Sequence, residues 1–490
     1  MDTNRNNIGC EKYIQILQEE TPIESAVPVP GEKTLGAVLW VCPKLQVEKT
    51  EVLEGRVKVG GTLALHVAAE DEERRLYCFD AAADFTQTLK GEGLTAGMQA
   101  QVTAQLKSCE LRQENGGLRL YALLEVRAFI TESVTVEVIS SLGGGRNLEQ
   151  KTLQLTEEKK LLLGAKSLRL REEEGVEEGT VLLGYTACLA PIKTEQAGSS
   201  AGVEGDLCWE LLLLPPSGRL TQKTLRQPFT ETVPLQGAGD QPPYARGEIT
   251  GAQAVIRGEA LLMEADISLS IYGQRLEVMT LLEDAYDKEG TFSCRRQEIE
   301  CRCCTGSFSE EVPVSGRLEV PGHLPECEQV LAALGLPVLQ GTEKGEDGAE
   351  LKAEGKVLVT TVYRCPQGLL HSFTAEVPFE KTLPGAEETL MAEARLTELQ
   401  VKGSGRALRA EGSVLVEGER YARRKLCYTG SLCAQTPEPG YTGLLLYFAE
   451  GGESLFSLGK QFRIPIGELR EMNPHLQEPL EKGTQVLLLK

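Results

Sequence analysis

Long stretches of this chain alternate between hydrophobic and polar residues with a period of two. One such stretch places apolar side chains at Val57, Val59, Leu63, Leu65 and Val67. The same alternation recurs in Leu118–Ile130, Leu261–Ile271, Val357–Tyr363 and Leu408–Val416. Because successive side chains of a strand point to opposite faces, this period predicts strands with one buried and one exposed face, as in antiparallel sheets. Frequent Gly, Pro and charged turns between the strands predict mainly β domains of antiparallel sandwich or barrel-like type.

Few helices are expected in these β-rich regions. Two short segments have helix-like patterns, Glu11–Glu20 and Cys327–Leu334. His66 has the opposite parity to the apolar positions of its strand and is therefore expected to face solvent.

The β-rich pattern is organised as a repeat of domain length. A Glu-Gly pair recurs at equal spacing, and each copy is followed by a strand pattern, a polar turn and an aromatic anchor. The pairs are Glu54-Gly55, Glu204-Gly205 and Glu354-Gly355, and the anchors are Phe85, Phe229 and Phe379. Solenoid units are several-fold shorter, so the repeat predicts three similar domains in tandem.

The last 47 residues, 444–490, have a different pattern. A short strand, Leu444–Phe448, precedes a Gly-rich turn and an amphipathic helix with Leu455, Leu458 and Phe462 on one face. Pro465 opens a second helix, and Val486–Leu489 forms a closing strand. Gly459 and Gly467 lie inside the predicted helices, where Gly costs about 1 kcal/mol relative to Ala. A weakly stable strand–helix–helix–strand module is therefore expected.

Composition limits the classes of partner. The formal net charge of −21, without a long basic stretch, argues against nucleic acid or an anionic membrane surface. The N-terminus lacks the basic start and apolar core of a secretory signal, and no window is apolar enough to span a bilayer. Fourteen cysteines in such a chain indicate reduced thiols, and an intracellular location is expected.

Candidate catalytic chemistry is sparse, and neither an enzymatic activity nor a cofactor is expected. The four histidines are far apart in sequence, and no phosphate-binding loop follows the Gly143-Gly144 turn. One cysteine-rich combination has enough ligands for a metal: Cys301, Cys303, His323 and Cys327. It needs a fold-back of the chain, and buried thiols behaving as small apolar residues are the preferred interpretation.

Residues 444–490 resemble the LysM family of glycan- and protein-binding modules. Tyr447, Gly452-Glu453-Ser454-Leu455, Asn473-Pro474 and Gly483 stand at the positions that define the family, and Phe456 replaces its usual Trp. The residues support the turn independently, since Gly452 permits a positive φ and Glu453 or Ser454 can cap the first helix. The resemblance implies a binding groove between two loops, whose residues are Gly452, Glu453, Ser454, Leu455, Asn473, Pro474, His475, Leu476 and Gln477.

The whole chain resembles SipL-type spore-envelope morphogenetic proteins, which carry SPOCS domains followed by a C-terminal LysM domain. The resemblance rests on Val29-Pro30, the Gly355–Val359 strand, Pro228-Phe229, Pro378-Phe379 and Asp284-Ala285-Tyr286. It implies an N-terminal segment (1–19), SPOCS repeats at 20–140, 150–290 and 305–432, a linker (433–443) and a LysM domain (444–490).

What the resemblance implies is a non-enzymatic assembly factor of the spore coat. Its LysM domain would dock onto the coat basement-layer ATPase, and its repeats would contact that scaffold or other coat proteins. The expected location is the mother-cell cytoplasm, with recruitment to the forespore surface. The alternative is a cell-wall protein that binds peptidoglycan or N-acetylglucosamine through LysM, and residual affinity for peptidoglycan stays open.

Overall fold

The structure is a computed structural model that describes residues 2–31, 35–114, 117–144, 147–237, 239–344, 350–384, 388–435 and 443–489. Within these ranges the side chains of residues 157, 158, 303, 342–344, 350, 351, 384 and 388–391 are not described. The described chain is mainly β, as predicted, and its two helices both lie in the C-terminal module. Neither helix is long and apolar enough to cross a bilayer.

The first unit contains six strands: β1 (Asp2–Val27), β2 (Leu35–Leu53), β3 (Arg56–Asp71), β4 (Leu76–Lys90), β5 (Gln99–Glu114) and β6 (Gly117–Gly143). Strands β2-β3-β4 form one antiparallel sheet, and β1-β6-β5 are neighbours in a larger one. Alternate residues of β3 and β6 meet in a single apolar core between the two sheets. The unit is therefore a two-layer antiparallel sandwich.

The second unit repeats this plan with one extra strand. Its strands are β7 (Glu149–Gly175), β8 (Val181–Leu189), β9 (Lys193–Ala197), β10 (Ser200–Leu214), β11 (Thr221–Pro234), β12 (Tyr244–Arg257) and β13 (Ala260–Tyr286). Strand β10 lies between β8 and β11 and also pairs with β9, while β13 lies between β7 and β12. Trp209 of β10 is fully buried in the core between the layers.

The third unit contains β14 (Thr291–Glu319), β15 (Gln329–Lys344), β16 (Glu350–Arg364), β17 (Leu370–Pro384), β18 (Glu388–Ser404) and β19 (Ala407–Gln435). Strands β15-β16-β17 form one layer, and β14-β19-β18 form the other. The three units thus share one strand plan.

Three long two-stranded ribbons, β1–β6, β7–β13 and β14–β19, join the units. Strand β14 pairs with β1 at Lys12 and Cys301 and with β13 at Tyr286 and Thr291, which links the ribbons into a nine-stranded sheet. A shared apolar core forms where they meet, from Ile8, Cys10, Val138, Leu281, Cys301, Leu426 and Tyr428. The ribbons therefore hold the three sandwiches in one arrangement.

Each sandwich contains a glycine directly opposite its aromatic anchor. The pairs are Gly61–Phe85, Gly205–Phe229 and Gly355–Phe379. A Cβ atom on any of these glycines would come within 3.0 Å of the ring. Each ring thus covers a glycine backbone, a contact that no larger residue permits. The equal spacing of the Glu-Gly pairs was misleading in the first copy, where Gly61, and not Gly55, faces the anchor.

The period-two positions are confirmed as core positions. The apolar residues of the stretch that starts at Val57 are at most 2 % exposed, and those of Leu118–Ile130, Leu261–Ile271 and Leu408–Val416 are also buried.

Both helices predicted outside the module are wrong. Residues 11–20 belong to β1, which pairs with β6 along nearly its whole length, and residues 329–334 begin β15. Local patterns there favour helix, but each segment pairs with a long strand partner, and Ala332 and Leu334 are buried between units. Tertiary pairing overrides a weak local preference.

The prediction that His66 faces solvent is also wrong, because His66 lies at the contact between the first and second units. Its Nδ1 is 2.6 Å from Asp80 Oδ1, and its Nε2 is 2.9 Å from the carbonyl oxygen of Leu183 on β8. Burial alone would lower the pKa of His66, but hydrogen bonds with Cys78 and Asp80 raise it to about 9. The face of β3 that points away from its own core is covered by the next unit.

The C-terminal module has the predicted order of elements: β20 (Leu444–Phe448), α1 (Leu455–Phe462), α2 (Ile466–Met472) and β21 (Gln485–Leu489). The strands pair antiparallel, and both helices pack on one face of this two-stranded sheet. The core contains Ala449, Leu458, Ile464, Leu469, Leu480, Val486 and Leu488.

Candidate functional site

The turn before α1 has the geometry expected of a strand-to-helix connection. Gly452 has φ +81°, a left-handed conformation that suits glycine. Ser454 is the N-cap of α1, where its side chain and that of Ser457 form a capping box. Glu453 accepts hydrogen bonds from the Tyr447 hydroxyl at 2.9 Å and from the backbone N–H of Glu450 at 2.8 Å. The Glu453 carboxylate therefore stabilises the turn from within the module.

Asn473, one of the predicted groove residues, is buried. Its Nδ2 donates to the carbonyl oxygens of Leu469 and Leu487 at 2.9 and 2.8 Å, and its Oδ1 accepts from the Leu487 N–H at 2.7 Å. Asn473 thus ties the end of α2 to β21. The side-chain amide of Asn473 supplies two donated hydrogen bonds and accepts a third, so the role of Asn473 is structural.

The rest of the second loop is more open. Pro474, His475 and Gln477 are exposed, whereas Leu476 is half-buried against the module core. Leu455, from the first loop, is 2 % exposed and also belongs to the interior. The predicted groove therefore offers three exposed side chains from the second loop, together with the backbone of both loops.

The first loop is held by a segment that the sequence did not single out. Glu478 Oε1 accepts from the backbone N–H of Leu455 at 2.8 Å, at the N-terminus of α1, and its other oxygen lies 3.3 Å from Arg470. The Gly452 N–H donates to the carbonyl oxygen of Leu480 at 2.8 Å. A carboxylate at a helix N-terminus is favourable, but one 23 residues away in the sequence gives no local signal.

Helix α1 has a second packed face, which contacts the tip of the β7–β13 ribbon. Gly459 lies against the Tyr286 ring, and a Cβ at this position would be 2.0 Å from the Tyr286 hydroxyl oxygen. That hydroxyl donates to the carbonyl oxygen of Ile464 at 2.9 Å, and the Tyr286 and Phe456 rings meet edge-to-face at 5.3 Å. Gly459 therefore permits close approach of the helix to the ribbon. From the sequence, Gly459 was expected only to destabilise the helix.

Polar contacts surround this aromatic contact. Lys460 Nζ donates to both carboxylate oxygens of Asp284 at 2.7 Å. The backbone N–H of Ile466, at the start of α2, donates to Glu149 Oε1 at 2.9 Å. Lys288 also pairs with Glu468 of α2. Burial raises the pKa of Tyr286, which keeps its hydroxyl protonated as a donor. The Asp284-Ala285-Tyr286 motif is thus part of the surface that receives the module.

A crevice of about 990 Å³ lies between α1 and the ribbons. Its module side is lined by Ser454, Phe456, Ser457, Lys460, Gln461 and Arg463, and its ribbon side includes Lys151, Glu283 and Arg296. Ser454 is the one predicted groove residue among these lining residues. The exposed second-loop residues do not line this crevice.

The outer face of the two-stranded sheet is an apolar surface without a covering element among the described residues. Directly paired residues share a face, so Leu444 and Leu489 lie beside Leu446 and Leu487, with Phe448 next along β20. Leu444 and Phe448 are 67 % and 55 % exposed. A contiguous apolar patch on a soluble surface marks an interaction site more often than scattered single residues do. We call these five residues the outer sheet face.

The cysteine combination considered for a metal is not brought together. Cys301 lies in the shared ribbon core, Cys327 lies in the core of the third unit, and His323 is exposed. The side chain of Cys303 is outside the described residues. Among the side chains that are described, no group of three or more His, Cys, Asp or Glu is arranged to hold a metal ion.

The comparison with protein families gives one match, to the first unit. Residues 35–114 match the family described as SipL, SPOCS domain. The matched segment runs from β2 to β5 and includes the Gly61–Phe85 pair. No curated protein and no solved structure matches the chain. The match relates the first unit to SPOCS domains and thereby to sporulation.

Proposed function

We propose that this chain is a non-enzymatic assembly factor of the spore coat that uses its C-terminal LysM-like module to bind a protein. The partner is the coat basement-layer ATPase, and the chain acts in the mother-cell cytoplasm, from which it is recruited to the forespore surface. The second and third units serve as further SPOCS domains that contact the same scaffold or other coat proteins. Several modest contacts in one chain strengthen attachment through high effective concentration.

The outer sheet face is the observation that carries this proposal. Five apolar side chains on two short strands form a surface suited to an apolar protein partner. Helix α1 is packed on both sides, against its own core and against Tyr286, so the module is fixed on the ribbon tip. The outer sheet face belongs to the opposite side of the module sheet from the helices. A partner can reach it while the module stays docked.

A second candidate function is binding of peptidoglycan or N-acetylglucosamine through the groove. Pro474, His475 and Gln477 are exposed and do not take part in docking of the module. These side chains and the nearby backbone can contact a sugar acetamido group. This candidate uses different residues from the outer sheet face, so the two are separable by substitution.

The test compares matched leucine substitutions in the full chain. Leu444→Ser removes an apolar side chain from the outer sheet face, and Leu162→Ser removes one of similar exposure from β7. Burial of a leucine contributes about 1.5–3 kcal/mol. We therefore expect Leu444→Ser to weaken binding to the purified ATPase by about ten- to a hundredfold, whereas Leu162→Ser binds as the parent chain does.

Peptidoglycan sedimentation with the His475→Ala/Gln477→Ala variant separates the second candidate. The protein-binding proposal predicts that the ATPase affinity of this variant is unchanged. Equal ATPase binding by all variants, together with sedimentation that depends on His475 and Gln477, would instead establish the glycan-binding function.

A further inference from the structure

Two cysteines face each other across neighbouring strands of the second unit. In the pairing of β8 with β10, Cys188 lies directly opposite Cys208. Paired residues in antiparallel strands have Cα atoms roughly 4.5–5.5 Å apart, within the range of roughly 4.4–6.8 Å that disulfides span. Both cysteines are thiols in the structure. The Cα spacing of such a pair therefore fits that of a disulfide.

No other described cysteine has a cysteine as its directly paired strand residue. Cys301 pairs with Arg424, Cys294 with Leu432, and Cys427 with Glu298. The strand register thus distinguishes the Cys188–Cys208 pair from the remaining thiols of the chain.

A cation lies on the other side of Cys208. Arg226 of β11 is its direct partner in the pairing of β10 with β11. The order across the three strands is therefore cation, thiol, thiol. A hydrogen bond from Cys188 and the charge of Arg226 lower the pKa of Cys208, against the opposing effect of burial. The same hydrogen bond and burial raise the pKa of Cys188.

The pair lies on the face of β10 that points away from the core of the second unit. The core residues Leu207 and Trp209 flank Cys208 in sequence and point the other way. A crevice of about 480 Å³ separates this face from the third unit, and Cys208, Arg226 and Glu210 line it opposite Ala333 and Glu398. Cys208 is 5 % exposed, and this crevice is the route by which a small polar molecule would approach it.

We propose that Cys188 and Cys208 form a redox-active dithiol that hydroperoxides oxidise to a cross-strand disulfide. The Cys208 thiolate attacks one peroxide oxygen, the O–O bond breaks, and Cys208 becomes a sulfenic acid while hydroxide takes up a proton to leave as water. The Cys188 sulfur then attacks the Cys208 sulfur, its proton is lost, and a second water leaves as the S–S bond forms. In total, two thiols lose two electrons and two protons, and one hydrogen peroxide becomes two waters.

The roles of the two cysteines differ for a physical reason. The thiolate is the nucleophile in this chemistry, and a thiol whose pKa lies near ambient pH combines availability with reactivity. Cys208 fits the attacking role, and Cys188 fits the resolving role. A sulfenic acid next to a second thiol condenses to a disulfide.

The test is peptide mapping of the full chain after treatment with one equivalent of hydrogen peroxide at pH 7. Free thiols are first blocked by alkylation, and digestion then locates any disulfide. We expect a Cys188–Cys208 linked peptide that dithiothreitol reverses. In Cys188→Ser we expect a sulfenic acid on Cys208 that dimedone traps, and in Cys208→Ser we expect neither product.

The exposed Cys427 and Cys433 serve as internal comparators in the same digest. We expect Cys208 to react at least tenfold faster than either. Oxidation of Cys427 or Cys433 while Cys208 stays open to alkylation would overturn the proposal. The parent chain alone gives this answer, so the result does not depend on folding of the variants.

Discussion

The replacement of Gly459 by alanine tests the docked arrangement of the module. In an isolated helix this change is stabilising by about 1 kcal/mol. Here the new Cβ would lie 2.0 Å from the Tyr286 hydroxyl and 2.8 Å from the carbonyl oxygen of Ile464. The helix must move away from the ribbon, and we expect Gly459→Ala to weaken docking.

The magnitude follows from the contacts that this movement breaks. The hydrogen bond from Tyr286 to Ile464 contributes about 0.5–1.5 kcal/mol. The edge-to-face contact of Tyr286 with Phe456 contributes about 0.5–1.5 kcal/mol beyond burial. The Lys460–Asp284 pair is about a third exposed and adds at most about 1 kcal/mol. We therefore expect a net loss of up to about 3 kcal/mol after the gain in helix propensity.

Hydrogen exchange measured by mass spectrometry on the full chain reports this loss directly. Peptides that cover α1 and the end of β13 are expected to exchange faster in Gly459→Ala. Tyr286→Ala serves as the matched control, because it removes the group that the new methyl meets. In the Tyr286→Ala background, Gly459→Ala should add little further loss. Greater protection of α1 in Gly459→Ala than in the parent chain would refute the docked arrangement.

Three further predictions concern the module, the unit contacts and the anchors. Asn473→Ala should destabilise the module by about 1–3 kcal/mol, because it leaves buried backbone groups of β21 unpaired, while His475→Ala should be neutral in the same hydrogen-exchange measurement. Burial, with the nearby charge of a glutamate from the third unit, raises the pKa of Glu210 to about 7. Its contribution to stability is therefore full below its ordinary pKa of 4.5 and is lost as pH rises from there through 7. Glu210→Gln should flatten the fall in unfolding midpoint between pH 5 and pH 7, and an equal fall in both chains would contradict this. Gly355→Ala should destabilise the third unit by about 1–3 kcal/mol in denaturant titrations, because its Cβ would meet the Phe379 ring, and an unchanged midpoint would show that the ring moves freely aside.

The layers of the fold follow from sequence where one face of a strand is apolar. Alternation identified the buried residues of β3, β6, β13 and β19 because the face of each strand that points to its own core carries an apolar residue at every second position. The helix prediction for residues 11–20 was wrong because their local pattern does not decide between the two structures. Their side chains suit either a helix or a strand, and the choice is made by β6, more than one hundred residues away.

The candidate site was predictable in its local parts. The residue types and spacing of Gly452 and Ser454 predicted a positive φ and a helix N-cap. Both features were confirmed at the start of α1. Asn473 was misjudged because Asn-Pro after a helix is typical of exposed turns. The function of Gly459 was not predictable, because it depends on Tyr286, which approaches from another unit.

The central claim is that the module recruits the chain to the forespore by binding protein. The most direct measurement is the position of a fluorescent fusion of the full chain in sporulating cells, compared with the Leu444→Ser/Phe448→Ser variant and with Leu162→Ser. We predict a ring around the forespore for the parent chain and for Leu162→Ser, and a diffuse mother-cell signal for the double variant. A ring that persists in the double variant, or a parent signal at the wall of growing cells, would contradict the account.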